Sequence, residues 1–307
     1  MSLSDIWDVL VLGVVLGSLY AVIAIGYTLV YGVLQLLNFA HSEVFMAGGF
    51  GGVIALTLFE PPVDPSGFQS LLYVLIGILG GALLGGAVAF GLERAAYRPL
   101  RRRNASRLIF LITAIGASFF LYNLAGKLFG RYPMPMPTMY ENRQLFEVFG
   151  TSVSVTQLLI VVAAVVMLVT VDFAVNRTKM GSGIRAVAQD PEVASLMGVD
   201  IDKVVSRTFV LGGVMGGVAG FLFGTNLQVE YTMGFLPGIT AFAAAVLGGI
   251  GNVRGAMLGG LTLGVVEAFT VELFGDAWRY AGAFAVLVLV LMFRPTGILG
   301  ERVGRAA

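Results

Sequence analysis

Gly26-Tyr27-Thr28-Leu29-Val30-Tyr31-Gly32-Val33-Leu34-Gln35-Leu36-Leu37-Asn38-Phe39-Ala40-His41-Ser42-Glu43 closes a run that begins at Val9 and carries no formal charge until Glu43. Val9 to Leu37 is 29 residues, about 43 Å of helix at roughly 1.5 Å per residue. A bilayer's hydrocarbon core is only about 30 Å thick. The segment therefore crosses a membrane at a tilt, or its helix ends early and Asn38 to Glu43 folds at the boundary. That tail holds the only histidine, His41, beside an acid and an amide. Such groups are costly in lipid and face a polar path or another protein segment.

The rest of the chain agrees with a membrane reading. Of 307 residues, 57% are hydrophobic and 12% charged, with mean hydropathy +0.90; a soluble domain carries about 25% charged residues. The apolar runs are long and unbroken, whereas barrel strands alternate over about ten residues. The predicted fold is an all-α polytopic membrane protein of eight to nine crossings, ten at most, with Gly-rich packing and some broken or re-entrant helices. We read 1–307 as a single transmembrane domain. The first eight residues hold Asp5 and Asp8 and no Lys or Arg, the wrong start for a signal peptide. The absence of Cys excludes disulfides and thiolate chemistry.

Spans are expected at about 9–33, 43–59, 71–92, 108–129, 155–175, 208–227, 238–251, 256–273 and 278–293. Six arginines (Arg94, Arg98, Arg101, Arg102, Arg103 and Arg107) separate the third and fourth spans. Arg177, Lys179, Arg185, Lys203 and Arg207 separate the fifth and sixth, and Arg294, Arg302 and Arg305 follow the last. Basic loops lie on the cytoplasmic side. The segment 238–251 is short for a crossing, but Arg207 and Arg294 share a side only if it counts as one. Nine crossings, an external N-terminus and a cytoplasmic C-terminus follow, leaving Lys127, Arg131, Arg143 and Arg279 outside. Glycines repeat every fourth residue at Gly212, Gly216, Gly220 and Gly224 and at Gly77, Gly81 and Gly85, a spacing that lets helix backbones approach closely.

Soluble-enzyme templates fail. No Gly-x-x-x-x-Gly-Lys-Ser/Thr run occurs, so a P-loop is ruled out, and one histidine cannot build a multi-His metal site. The informative loop is 177–207. Asp190 is a good N-cap, Pro191 suits the first helical position, Glu192 favours the positive helix end, and Gly198 stops the helix. A helix of about seven residues is predicted there, presenting Val193, Ala194, Leu196 and Met197 to the membrane surface or to a partner.

Several motifs in order resemble the branched-chain amino acid ABC permeases of the LivH type. They are Gly17-Ser18-Leu19-Tyr20-Ala21, Gly26–Gly32, Asn38-Phe39-Ala40-His41, Ala188–Glu192 with Leu196–Val199, Ala244–Gly251, Gly255–Gly260 and Arg294-Pro295-Thr296-Gly297. Ser42 and Asn252-Val253-Arg254 depart from the usual pattern. The resemblance implies a non-enzymatic permease subunit of a bacterial inner-membrane importer for aliphatic amino acids. Its partners would be a related second permease, two ATP-binding cassette subunits that hold the ATP and Mg, and an external binding protein; this chain itself would hold no cofactor. Arg185, Asp190, Pro191, Glu192, Ala194, Leu196 and Gly198 would form the ATPase coupling element. Tyr20, Tyr27, Asn38, His41, Glu43 and Glu267 are the candidates for the substrate path. Uptake of urea or short-chain amides is an alternative within the family. An ion-coupled secondary transporter, using Glu267 with His41 or Glu43, is an alternative of another class.

Overall fold

The computed structural model describes residues 3–36, 38–62, 65–148 and 150–300; Leu37, Arg302 and Arg305, which the sequence reading uses, lie outside them. The uncharged run becomes α1 (Leu3–Leu34), 32 residues and about 48 Å long. It ends before the polar tail. Gln35 takes φ 51°, a left-handed conformation that breaks a helix of L-residues, and α2 (His41–Phe59) restarts at the histidine.

A capping box at Ser66 starts α3 (Gly67–Leu92), which runs through a π turn (Glu93–Tyr97) into α4 (Arg98–Arg102). After α5 (Arg107–Leu128) comes a connection that stays extended where prolines alternate. Met134 there exchanges both backbone hydrogen bonds with Val229, at 2.8 and 2.9 Å. A hairpin of β1 (Gln144–Val148) and β2 (Thr151–Ser154) follows. Then come α6 (Val155–Arg177), α7 (Lys179–Gln189), α8 (Pro191–Leu196) and α9 (Ile201–Asn226). The chain ends with α10 (Phe235–Gly248), α11 (Val253–Phe274), a 3-10 turn (Asp276–Trp278) and α12 (Arg279–Phe293). Among the described residues eight helices are long and apolar enough to cross a membrane, with α3 to α4 counted as one. The polytopic all-α class is confirmed, with one small hairpin added. At 14 residues, α10 is about 21 Å long.

The chain divides into two compact units. One comprises the described residues of Leu29–Arg143 and Ala174–Ile239, and its centre is the crossing of α2, α3 and α9. A Cβ on Gly217 would stand 2.1 Å from the Gly81 carbonyl oxygen, and one on Gly48 2.2 Å from the Gly217 backbone. Only glycine permits that contact, in which dispersion between backbones replaces side-chain burial as the cohesive force. Gly213 and Gly217 meet α3, while Gly216 and Gly220 face α2. The predicted ridge at 212, 216, 220 and 224 therefore supplies only part of the packing.

The other unit comprises the described residues of Met1–Thr28, Gln144–Phe173 and Thr240–Ala307. In it Gly264 lies against Gly17, where a Cβ would be 2.1 Å from the Gly17 nitrogen. α10 and α11 form an antiparallel hairpin whose close points are Gly248 with Gly255 and Ala244 with Gly259. The segment after α12 folds onto that hairpin's turn. There Ile298 and Leu299 donate backbone N–H groups to the Leu247 and Gly248 carbonyls, at 2.8 and 2.9 Å. Arg254 at the start of α11 pairs with Asp172 near the end of α6, Nε to Oδ1 at 3.0 Å.

Candidate functional site

The polar tail folds into a buried cluster at the start of α2. Asn38, His41, Ser42 and Glu43 are all buried. The His41 N–H bonds the Asn38 carbonyl at 3.1 Å. The Asn38 side-chain oxygen accepts from the Tyr97 hydroxyl at 2.6 Å, which ties the tail to the π turn. The His41 ring lies over Gly216, where a Cβ would stand 3.4 Å from Cε1 and Nε2. Glu43 sits in the first turn of α2. Its Oε1 accepts from the hydroxyls of Ser118 at 3.0 Å and Ser42 at 3.4 Å. Its Oε2 is buried and accepts no hydrogen bond from the described residues. No described Lys or Arg forms an ion pair with Glu43. A buried carboxylate oxygen without a donor is costly, and it is the atom here that can accept a hydrogen bond from an incoming cation.

Glu267 on α11 makes the second cluster. It is fully buried, and its Oε1 accepts from the Tyr20 hydroxyl at 3.0 Å and from Arg279 Nη1 at 3.2 Å. Arg279 also holds Asp276, Nη2 to Oδ1 at 2.6 Å. This set joins α1, α11 and the start of α12. Tyr27, predicted alongside Tyr20, instead packs edge-on against Phe242, with ring centroids 6.0 Å apart.

The loop between α6 and α9 holds two helices where one was expected. Thr178 caps α7 through Gly181 N–H at 3.1 Å. Arg185 projects from α7 and donates to the Val175 carbonyl. Asp190 caps α8 by accepting from Glu192 and Val193 N–H at 2.9 and 3.0 Å, with Pro191 in the first turn. Gly198 follows with φ 84°, a conformation suited to glycine. Val193, Leu196 and Met197 are exposed, at 53%, 87% and 80%. Ala194 was expected on that face and is instead buried at 4%. It packs inward with Ile184, Val187 and Val205, so it seats α8 on its own chain. Asp200 then caps α9, and its bond to Lys203 holds its carboxyl below the usual range.

The structure thus gathers Asn38, His41 and Glu43 in one place, joins Tyr20 to Glu267 in another, and holds the 185–198 set on α7 and α8. Sequence reading missed Ser118, Tyr97 and Arg279. Arg279 carried a signal, since it was one of the few cations left on the wrong side by the charge rule. An acid 12 residues earlier explains its placement.

Comparison with known proteins covers nearly the whole chain. Residues 9–293 match the family described as branched-chain amino acid transport system / permease component. The chain is 42% identical over 297 residues to the high-affinity branched-chain amino acid transport system permease protein BraD of Pseudomonas aeruginosa, with 95% of each covered. It is 40% identical over 294 residues to the corresponding protein LivH of Escherichia coli K12, with 94% of each covered. A probable branched-chain amino acid transport permease protein LivH of Methanocaldococcus jannaschii is 26% identical, over 97% of this chain and 94% of its own. With a family match across most of its length and two relatives above 40% or at it over nearly their full lengths, the chain belongs to the permease components of branched-chain amino acid transport systems.

Proposed function

We propose that residues 1–307 form one permease domain of an ABC importer for branched-chain amino acids in a bacterial inner membrane. The observation that carries this reading is identity of 40–42% over 94–95% of both partners in each comparison with the bacterial relatives. A related second permease, two ATPase subunits holding ATP and Mg, and an external binding protein complete the transporter. Asn38, His41 and Glu43 line the path, and Glu43 Oε2 meets the ammonium group of the passing zwitterion. Within the other unit the Tyr20 hydroxyl and the Glu267 carboxylate hold α1 to α11, and Tyr27 packs on Phe242.

Val193, Leu196 and Met197 of α8 seat in a groove of an ATPase subunit. Asp190, Pro191, Glu192 and Gly198 shape that helix, Ala194 anchors it, and Arg185 ties α7 to the end of α6. The C-terminus is cytoplasmic and the N-terminus external. The Arg254–Asp172 pair supports nine crossings, because it brings the start of α11 to the end of α6. Between those points the chain passes α9 and α10, so α10 must return it to the same side.

The test is reconstitution. Uptake of leucine into liposomes is expected only with the second permease, both ATPases, the binding protein and ATP. Gradient-driven uptake by this chain alone, on protons or sodium, would contradict the proposal.

A further inference from the structure

The five arginines between α3 and α5 do more than follow a charge rule, because four of them line one cavity. Arg94, Arg98, Pro99, Arg102 and Arg103 line an open cavity of about 350 Å³. The π turn and α4 shape this cavity. Pro99 cannot continue an ordinary helical hydrogen-bond ladder, and the π turn, closed by Arg98 N–H to the Glu93 carbonyl, takes up the extra residue.

The guanidinium groups are held in place from behind. Asp202 takes Arg98 and Arg102 at 2.8 Å each and Arg101 at 2.6 Å. The fully buried Glu93 accepts from Arg101 and from Ser206, both at 3.0 Å. Five arginines from Arg94 to Arg103 face two carboxylates, an excess of three positive charges. Arg94 and Arg103 form no ion pair among the described residues. The cavity is therefore preorganised and short of anions.

The same helix face also identifies what the anion is attached to. Leu79, Leu83, Phe90 and Arg94 follow one another at spacings of four or seven residues, which places them on one face, and the extra residue taken up by the π turn keeps Arg98 and Arg102 on that face. Leu79, Leu83 and Phe90 are exposed large apolar side chains on a membrane-spanning helix. From Leu79 to Arg94, the first cavity arginine, is about 22 Å along the axis, close to the depth of one leaflet with its headgroups, roughly 20–22 Å. An apolar stripe that runs for one leaflet into a basic cavity matches a phospholipid. It does not match a soluble subunit, which cannot reach the stripe, or free phosphate, which has no use for it.

We propose that this cavity binds the phosphate-bearing headgroup of an anionic phospholipid, with an acyl chain along Leu79, Leu83 and Phe90. Its place in the cytoplasmic leaflet rests on the orientation proposed above; the binding itself does not.

The test uses the complete importer in nanodiscs of phosphatidylcholine with a minor fraction of phosphatidylglycerol or cardiolipin. Lipid retained by the complex is counted by native mass spectrometry. The wild type is expected to enrich the anionic lipid. Arg94→Gln with Arg103→Gln should lose that enrichment by about fivefold per arginine, while Arg94→Lys with Arg103→Lys should keep most of it. Both pairs leave the Asp202 and Glu93 contacts intact, so folding and ATPase co-purification serve as controls. Equal enrichment in the Gln variant would overturn the proposal. So would displacement of the lipid by inorganic phosphate, or loss of ATPase co-purification with lipid enrichment unchanged. Sidedness is read separately, since the chain has no cysteine. An impermeant thiol reagent should reach Ala95→Cys from the cytoplasm only. Labelling from outside would overturn the leaflet assignment and leave the lipid result standing.

Discussion

Glu43 and Glu267 are both buried acids on membrane-spanning helices, and they differ in whether a counter-charge stands beside them. Glu267 meets a cation, Arg279, and a phenol, Tyr20. Glu43 meets only the hydroxyls of Ser42 and Ser118; each acid keeps its buried Oε2 unbonded by the described residues, so the difference between them is the counter-charge. A buried charge without a counter-charge is costly to keep, and in a membrane protein such groups mark paths. On this contrast we propose a structural role for the acid with a counter-charge and a ligand-facing role for the one without. A secondary transporter using Glu267 as its ion site would need that carboxylate free. Arg279 already supplies that carboxylate with a counter-charge, which weighs against that alternative.

The largest effect should come from removing the charge at the unpaired acid. Glu43→Gln keeps the shape and both hydroxyl contacts, so the complex should assemble normally. Uptake should fall by about tenfold to a hundredfold, the worth of one hydrogen bond to a charged group. An equal fall in assembled complex would make Glu43 a structural residue like Glu267.

At Glu267 the reverse is expected. Glu267→Leu strands Arg279, and the fold should lose roughly 1–3 kcal/mol. That is less than the about 3–5 kcal/mol of a broken buried pair, because Arg279 is one-third exposed and keeps Asp276. Adding Arg279→Leu should restore much of that stability and of the uptake, as apolar replacement of a whole pair does. Thermal melting of the purified importer measures this. Failure of the double variant to recover would give Glu267 a role in transport itself.

The coupling element should give an effect of a third kind. Asp190→Ala removes a cap worth about 0.5–2 kcal/mol, from a helix only six residues long. Gly198→Val puts a β-branched residue at φ 84°, where it is strained. Both should leave the permease in the membrane and weaken ATPase association or substrate-stimulated hydrolysis several-fold. Normal association and stimulation in both variants would remove α8 from coupling. His41→Ala should do least among the path residues, reducing uptake with assembly intact, and a matching loss of assembly would make His41 a packing residue.

How much of this was readable beforehand follows the range of the interactions. The break after α1 was visible because Asn38, His41 and Glu43 are polar residues closing an apolar run. The ends of α8 were visible because Asp190, Pro191 and Gly198 act on their own neighbours. α7 was hidden, since Gly181 and Gly183 are poor helix formers and its stability comes from burying Ile184 and Val187. The partners of the two acids were hidden for a different reason. Ser118 lies 75 residues from Glu43 and Tyr20 lies 247 from Glu267, and local pattern carries no register between helices that far apart. Ala194 was misplaced because a six-residue helix has too little periodicity to say which face turns inward.

The most direct test of the contrast is water access beside each acid during transport. Ser118→Cys and Tyr20→Cys each introduce the sole thiol of the chain, one next to Glu43 and the other next to Glu267. The rate of modification by a small water-soluble thiol reagent would be followed in the reconstituted importer during ATP turnover. The account predicts that the thiol at 118 reacts during turnover and is slowed by leucine, while the thiol at 20 stays unreactive. A thiol at 118 that never reacts, or one at 20 that reacts and is protected by leucine, would contradict it.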